Sequence, residues 1–197
     1  KKRRPPSGAY LTKETPRQAA ASKQAPQVLV VCSSPKPTDF MDTNLPIGLR
    51  AEDSAALSKE LNALLCDLHL FYQNVRGFHW NVQGQNFFEL HLKFEEFYTD
   101  LQLKIDEVAE RILTLGGTPL HAMQDYVAGA TIPAVKDVTD GIEAVRHCAA
   151  AFGVLLVRER GILALSDKAN DEGTNALMSD YIREQEKTSW MLRAYLA

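Results

Sequence analysis

The chain has little that would staple it covalently or hold it in a membrane. Its 197 residues include three cysteines, Cys32, Cys66 and Cys148. The number is odd and the spacing is not that of a metal knot. A disulfide framework is therefore set aside for free or buried thiols in a reducing compartment. No apolar run approaches the roughly 20 residues that cross a bilayer, so no membrane partner is expected. No strand-like alternation, internal repeat or glycine-rich phosphate loop competes with a helical reading. Proline is almost missing after residue 46: seven of the nine stand at Pro5, Pro6, Pro16, Pro26, Pro35, Pro37 and Pro46.

What is present divides in two. The net charge of -3 hides an asymmetry. Residues 1–26 carry Lys1, Lys2, Arg3, Arg4, Lys13, Arg17 and Lys23 against Glu14, so seven less one leaves +6 and the remainder carries -9. Residues 1–46 read as a flexible, basic, proline-rich tail, and residues 47–197 as the folded body. Within the tail, Val28–Val31 is an apolar exception, read either as an edge strand or as a segment lying on the body. The chain opens on Lys1 and stops at Ala197 inside a helical pattern, which leaves room for trimmed ends and a cleaved targeting segment.

From Asp53 onward apolar residues recur at three- and four-residue spacing. Leu57, Leu61, Leu64, Leu68, Tyr72 and Val75 predict a first helix to about Trp80, capped by Asp53 or Ser54. Gly84 marks a turn. Leu90, Phe94, Phe97, Leu101, Ile105, Val108, Ile112 and Leu115 predict a second helix from about Asn86 to Leu115, ended by Gly116 and Gly117. A short helix is expected around Met123–Ala128. A third long helix follows over about Val138–Ala169, with Ile142, Val145, Ala149, Phe152, Leu156 and Leu163 as its stripe. Asp171-Glu172-Gly173 should break it. A fourth runs from about Thr174 to the end, with Leu177, Tyr181, Met191 and Tyr195 near its stripe. The fold class is all-α: a ferritin-like four-helix bundle with a short helix in the connection between the second and third helices.

His79 falls at the end of the first helix. His91 and Glu95 stand one turn apart at the start of the second. Antiparallel helices joined by a short turn place these side by side, so two imidazoles and a carboxylate can converge within one chain. Asp106 and Glu110 share a face further along the second helix. If His91 and Asp106 lie on one helix, its rise separates them by roughly 22 Å, and no ion is bridged over that distance. A site using all of them needs a second copy of the chain, whose second helix can run antiparallel across a two-fold axis. Mixed imidazole and carboxylate ligands suit iron(II), and also zinc or manganese. The plainer alternatives stay open: helical histidines that are only half-buried polar groups, and Asp106 and Glu110 as solvated charges beside Lys104 and Arg111. Core packing is the general expectation for Trp80, and Trp190 reads as core or interface.

The segment RGFHWNVQGQNFFELHLKFEEFY followed by KIDEVAERILTLGG resembles the Dps family, the DNA-binding mini-ferritins of starved bacterial cells. The resemblance covers residues 50–197 and is strongest over 76–117. It implies a ferroxidase centre shared between two subunits of a hollow dodecamer, binding two irons per inter-subunit site. His79, His91 and Glu95 would come from one subunit, and Asp106 and Glu110 from its neighbour. The family commonly has Asp where this chain has Glu95. The implied reaction is oxidation of Fe(II), preferably by hydrogen peroxide, with ferric mineral stored in the shell. Trp80, beside His79, would then donate or absorb a stray electron. The E-x-x-H signature of classical di-iron ferritins is absent, which argues against a centre inside one bundle. Asp167, Asp171 and Glu172 lie where the family often builds acidic entry pores, the alternative being a solvated helix end.

The basic tail has a physical use as well. Mobile cations neutralise phosphates and release counterions without reading sequence. Twelve tails on one shell would multiply a weak contact with DNA. The alternative is a solubilising or targeting extension. The expected place is the cytoplasm, with the nucleoid. Two rival functions remain: a DNA-packing protein with a vestigial metal site, and a structural bundle with interface zinc. His69, His121 and His147 have no partner pattern.

Overall fold

Helix begins five residues after the last proline of the tail. The computed structural model describes residues 47–197. The basic positions from Lys1 to Lys23, the Val28–Val31 segment and Cys32 lie outside the described residues. Among the described residues there are five helices and no strand: α1 Ala51–Asn81, α2 Phe87–Thr114, α3 Met123–Gly129, α4 Gly141–Ala169 and α5 Glu172–Leu196. α1 packs against α2 and α4, α4 packs against α5, and the short α3 packs on α1. This is the four-helix bundle expected, with α3 in the long α2–α4 connection. None of these helices is long and apolar enough to cross a membrane.

The stripe on α1 is the middle of the core. Leu57, Leu61, Leu64, Leu68 and Val75 are all fully buried. Each buried side chain of this size contributes about 1.5–3 kcal/mol. On α2 the expected stripe is also buried, with Phe97 and Ile105 at its edge. The later helices depart from expectation. On α4 the inward residues are Ala144, Val145, Cys148, Ala151, Phe152, Leu155, Glu159, Ile162 and Ser166. Ile142 faces out. On α5 they are Thr174, Met178, Tyr181, Ile182, Gln185 and Leu192, while Met191 and Tyr195 are exposed. Both faces mix apolar with polar residues, so an apolar stripe alone places them wrongly.

Helix ends differ in detail too. α1 starts two residues before Asp53, whose carboxylate takes the Arg50 guanidinium at 2.7 Å instead of capping. Ser54 is buried. α4 is capped by Asp140, which accepts from Glu143 N at 2.7 Å. The break before α5 comes at Asn170, in the left-handed region at φ 54°, and Asp171 caps the next helix.

The long connection between α2 and α4 is tied to α1 by three buried or half-buried side chains. Asn62 accepts from Leu120 N at 2.7 Å and donates to Thr118 O at 3.1 Å. Asp67 accepts from Thr131 N, Ile132 N and Arg158 Nε at 2.5, 2.9 and 2.7 Å. Asn74 donates to Pro133 O at 2.8 Å and accepts from Val135 N at 2.9 Å. A loop this long would otherwise bury backbone groups without partners.

Candidate metal centre

The α1–α2 turn positions the histidines. Gly84 sits at φ 86° and Asn86 at φ 61°, both left-handed, which reverses the chain in five residues. Gln83 N donates to Thr139 O at 2.9 Å, pinning the turn to the start of α4. The end of α1 and the start of α2 therefore lie side by side.

His79 and His91 stack there, with ring centroids 3.7 Å apart and planes 20° from parallel. His79 Nδ1 lies 2.8 Å from His91 O, and His91 Nδ1 lies 2.9 Å from His79 O. A carbonyl oxygen only accepts, so each Nδ1 carries the proton. Each Nε2 then keeps its lone pair. This reciprocal clamp is the arrangement that orients imidazoles as metal ligands. Phe87 stacks on His91 with centroids 5.3 Å apart, and Tyr98 stands edge-on to His79 at 5.3 Å. Phe87, His91, Glu95 and Tyr98 share one face of α2, spaced by four, four and three residues. That spacing was legible in the chain, but Phe87 and Tyr98 were not singled out by it.

Glu95 is exposed, one turn beyond His91. The Tyr98 hydroxyl is pushed up by partial burial and by the Glu95 carboxylate beside it. The structure brings the two imidazoles together and leaves Glu95 at their edge. Among the described residues of one chain, no three His, Cys, Asp or Glu side chains gather tightly enough to hold an ion.

His91 and Asp106 do share α2. Fifteen residues of helical rise, roughly 22 Å, keep the Asp106–Glu110 pair from the histidines of its own chain. Both carboxylates are exposed. The neighbours that would make them ordinary surface ion pairs are engaged elsewhere. Lys104 is buried and pairs with Asp100 and Glu184. Arg111 pairs with Asp171 at 2.5 Å and donates to Thr174 Oγ1 at 2.8 Å.

Trp80 is not core. It is 58% exposed, with the Arg76 guanidinium 4.7 Å above its ring. One residue past His79 means a rotation of about 100° around the helix, which turns it outward. Trp190 is 60% exposed, which removes the core half of its reading. Of the three acids at the α4–α5 junction, Asp167 and Glu172 are exposed while Asp171 is buried. Burial alone would raise the Asp171 carboxyl, but hydrogen bonds from Thr174 and Arg111 outweigh it and hold it below its ordinary value. It is a helix cap, and its charge is already spent on Arg111. His69 stacks on Tyr126 at 3.8 Å, His147 lies over Phe78 at 5.9 Å, and the exposed His121 approaches Pro119 O at 3.2 Å.

Comparison with known proteins bears on the fold and the family. The ferritin-like domain family matches residues 58–197. The DNA protection during starvation protein of Porphyromonas gingivalis is 40% identical over 148 residues, spanning 75% of this chain and 93% of that protein. The crystal structure of a Dps protein from Vibrio cholerae, described as a member of the ferritin-like diiron-carboxylate superfamily, superposes with a TM-score of 0.78. It is 52% identical and covers 79% of this chain and 98% of its own. A Dps protein from Bacillus brevis gives a TM-score of 0.72 at 32% identity, covering 74% and 98%.

Proposed function

The chain belongs to the Dps family of ferritin-like proteins, and from that premise we propose that it is a ferroxidase and iron-storage protein. Its substrate is Fe(II), and its preferred oxidant is hydrogen peroxide. The carrying observation is the reciprocal His79–His91 clamp, which leaves two Nε2 lone pairs free. Asp106 and Glu110 stand unengaged at the far end of the same helix. His79, His91 and Glu95 of one protomer hold two irons with Asp106 and Glu110 of its partner. The donor set fits iron: neutral imidazoles with hard carboxylates. Two Fe(II) supply the two electrons that reduce one peroxide to water, so little hydroxyl radical escapes. The ferric product is stored as mineral inside a shell of twelve chains. Glu95 reaches the site on a longer arm than the Asp common in the family.

The same reading gives the tail a role. Lys1, Lys2, Arg3, Arg4, Lys13, Arg17 and Lys23 bind DNA without sequence preference, and the shell shields that DNA from peroxide in the nucleoid. Trp80, exposed and one residue from His79, absorbs a stray electron in this reading. Asp167 and Glu172 contribute to an iron entry path.

Stopped-flow absorbance after mixing the sized assembly with Fe(II), under peroxide or air, tests the ferroxidase. Fast oxidation with peroxide supports it. No oxidation by an intact particle would pass the function to DNA packing with a vestigial site. Deleting residues 1–26 is expected to abolish gel retardation of DNA and leave iron oxidation intact. Retardation that survives the deletion would remove the tail from the account.

A further inference from the structure

Glu159 is fully buried on α4, in the middle of the bundle. Among the described residues four buried side-chain oxygens have no hydrogen-bond partner: Ser54 Oγ, Ser58 Oγ, Glu159 Oε2 and Gln185 Oε1. The serine hydroxyls each own a proton. The other two oxygens own none, and they belong to a single contact. Gln185 Nε2 donates to Glu159 Oε1 at 2.5 Å. Whichever way round the amide lies, a carboxylate has no hydrogen to give the Gln185 oxygen. A buried acceptor left without a donor loses its hydration and gains nothing in return.

The surroundings do not supply a countercharge. From α2, Lys104 reaches this region, but its ammonium already serves Asp100 and Glu184. One positive against two negative charges leaves that cluster at -1 before Glu159 is counted. Tyr181 on α5 spends its hydroxyl on Glu107 of α2 at 2.6 Å. On α4 itself, Arg160 pairs outward with Glu186. Two of the acids on α1, Glu60 and Asp67, are taken by Arg158 of α4.

We propose that the folded chain carries Glu159 as the neutral acid, its Oε2–H donating to Gln185 Oε1 while Gln185 Nε2 donates to Glu159 Oε1. A single proton then satisfies both orphaned oxygens and closes a reciprocal acid–amide pair between α4 and α5. Its ligand is a proton. Burial pushes the Glu159 carboxyl up from 4.5 to about 7, against the opposing pull of Gln185 and Lys104. Loss of the proton leaves an anion facing a carbonyl oxygen in a dry core, and the α4–α5 contact loosens. The folded chain binds this proton more tightly than the unfolded chain. The stabilisation is therefore complete below 4.5 and lost as pH rises through about 7. The bundle thus senses acid, tightening as pH falls.

The test compares the full chain with Glu159→Gln, which forms the same reciprocal pair without a titrating proton. The urea midpoint of the natural chain, relative to the variant, is expected to fall as pH rises from 4.5 to about 7. Parallel curves for the two proteins across that window would overturn the proposal. Infrared spectra of the natural chain, labelled with ¹³C-glutamate, need no variant to fold. A glutamic-acid C=O band that fades through about 7 is the expected result. Absence of that band in the lower half of the window would show an ionised Glu159 and overturn it.

Discussion

The two ends of α2 are built on opposite plans. At its start, His91 is locked against His79 by two hydrogen bonds, a stacked ring and an edge-on tyrosine. Toward its far end, Asp106 and Glu110 lie open, and the cations beside them are drawn away to Asp100, Glu184 and Asp171. One end is finished within the chain and the other is unfinished. A site assembled from both gains its precision from the histidines and its completion from the partner. Binding energy is then lost differently at each end. Damage at the clamp disorders ligands, whereas damage at the acids only removes them.

The largest expected effect is at the clamp. His79→Ala removes a ligand together with its bond to His91 O and the ring stacked on His91, although His91 Nδ1 keeps its bond to the backbone carbonyl of residue 79. Stopped-flow iron oxidation should fall by more than the roughly 10–100-fold that loss of an outer partner costs. A smaller fall would mean that His79 only packs. Glu110→Ala should also lower iron oxidation, yet leave the particle mass unchanged and stability within about 0.5 kcal/mol, because an exposed carboxylate carries no packing. Full activity would reject the acidic end as drawn.

The smallest effect concerns how the acids stay unengaged. Asp171→Asn keeps an oxygen that can cap α5 but removes the charge that engages Arg111, and so costs stability. Asp171 is depressed below its ordinary 3.8. Its contribution is therefore present above 3.8 and lost as pH falls through the lower folded value. Thermal melts of natural and variant chains should converge only in strong acid. A constant gap at every pH would show that the cap acts through shape rather than charge.

Much of this was legible in the chain. The four long helices and the short α3 follow from apolar spacing and from the breaks at Gly84, at Gly116 and Gly117, and before α5. The histidine pair was legible because a short turn between antiparallel helices fixes which residues meet. That a site using both the histidines and the acids needs a second chain followed from helical rise alone. Other features were not visible to a hydrophobic pattern. Glu159, Ser166, Thr174 and Gln185 are polar and buried, so the inner faces of α4 and α5 were misassigned. Asn62, Asp67 and Asn74 anchor a loop far away in sequence, which no local spacing shows. Asp171 looked like a surface acid because its partner Arg111 lies on another helix. Trp80 and Trp190 were read by residue type, and their position on the helix surface decided otherwise.

Complementation in mixed assemblies tests the shared site most directly. His79→Ala and Asp106→Ala chains are unfolded together, reassembled, sized, and mixed with Fe(II) and peroxide. Each variant alone should be inactive. A dimer of one of each has one site with both lesions and one with neither, so mixed particles should regain oxidation. If mixed particles stay as inactive as their parents, the histidines and the acids do not meet across the subunit interface, and the account fails.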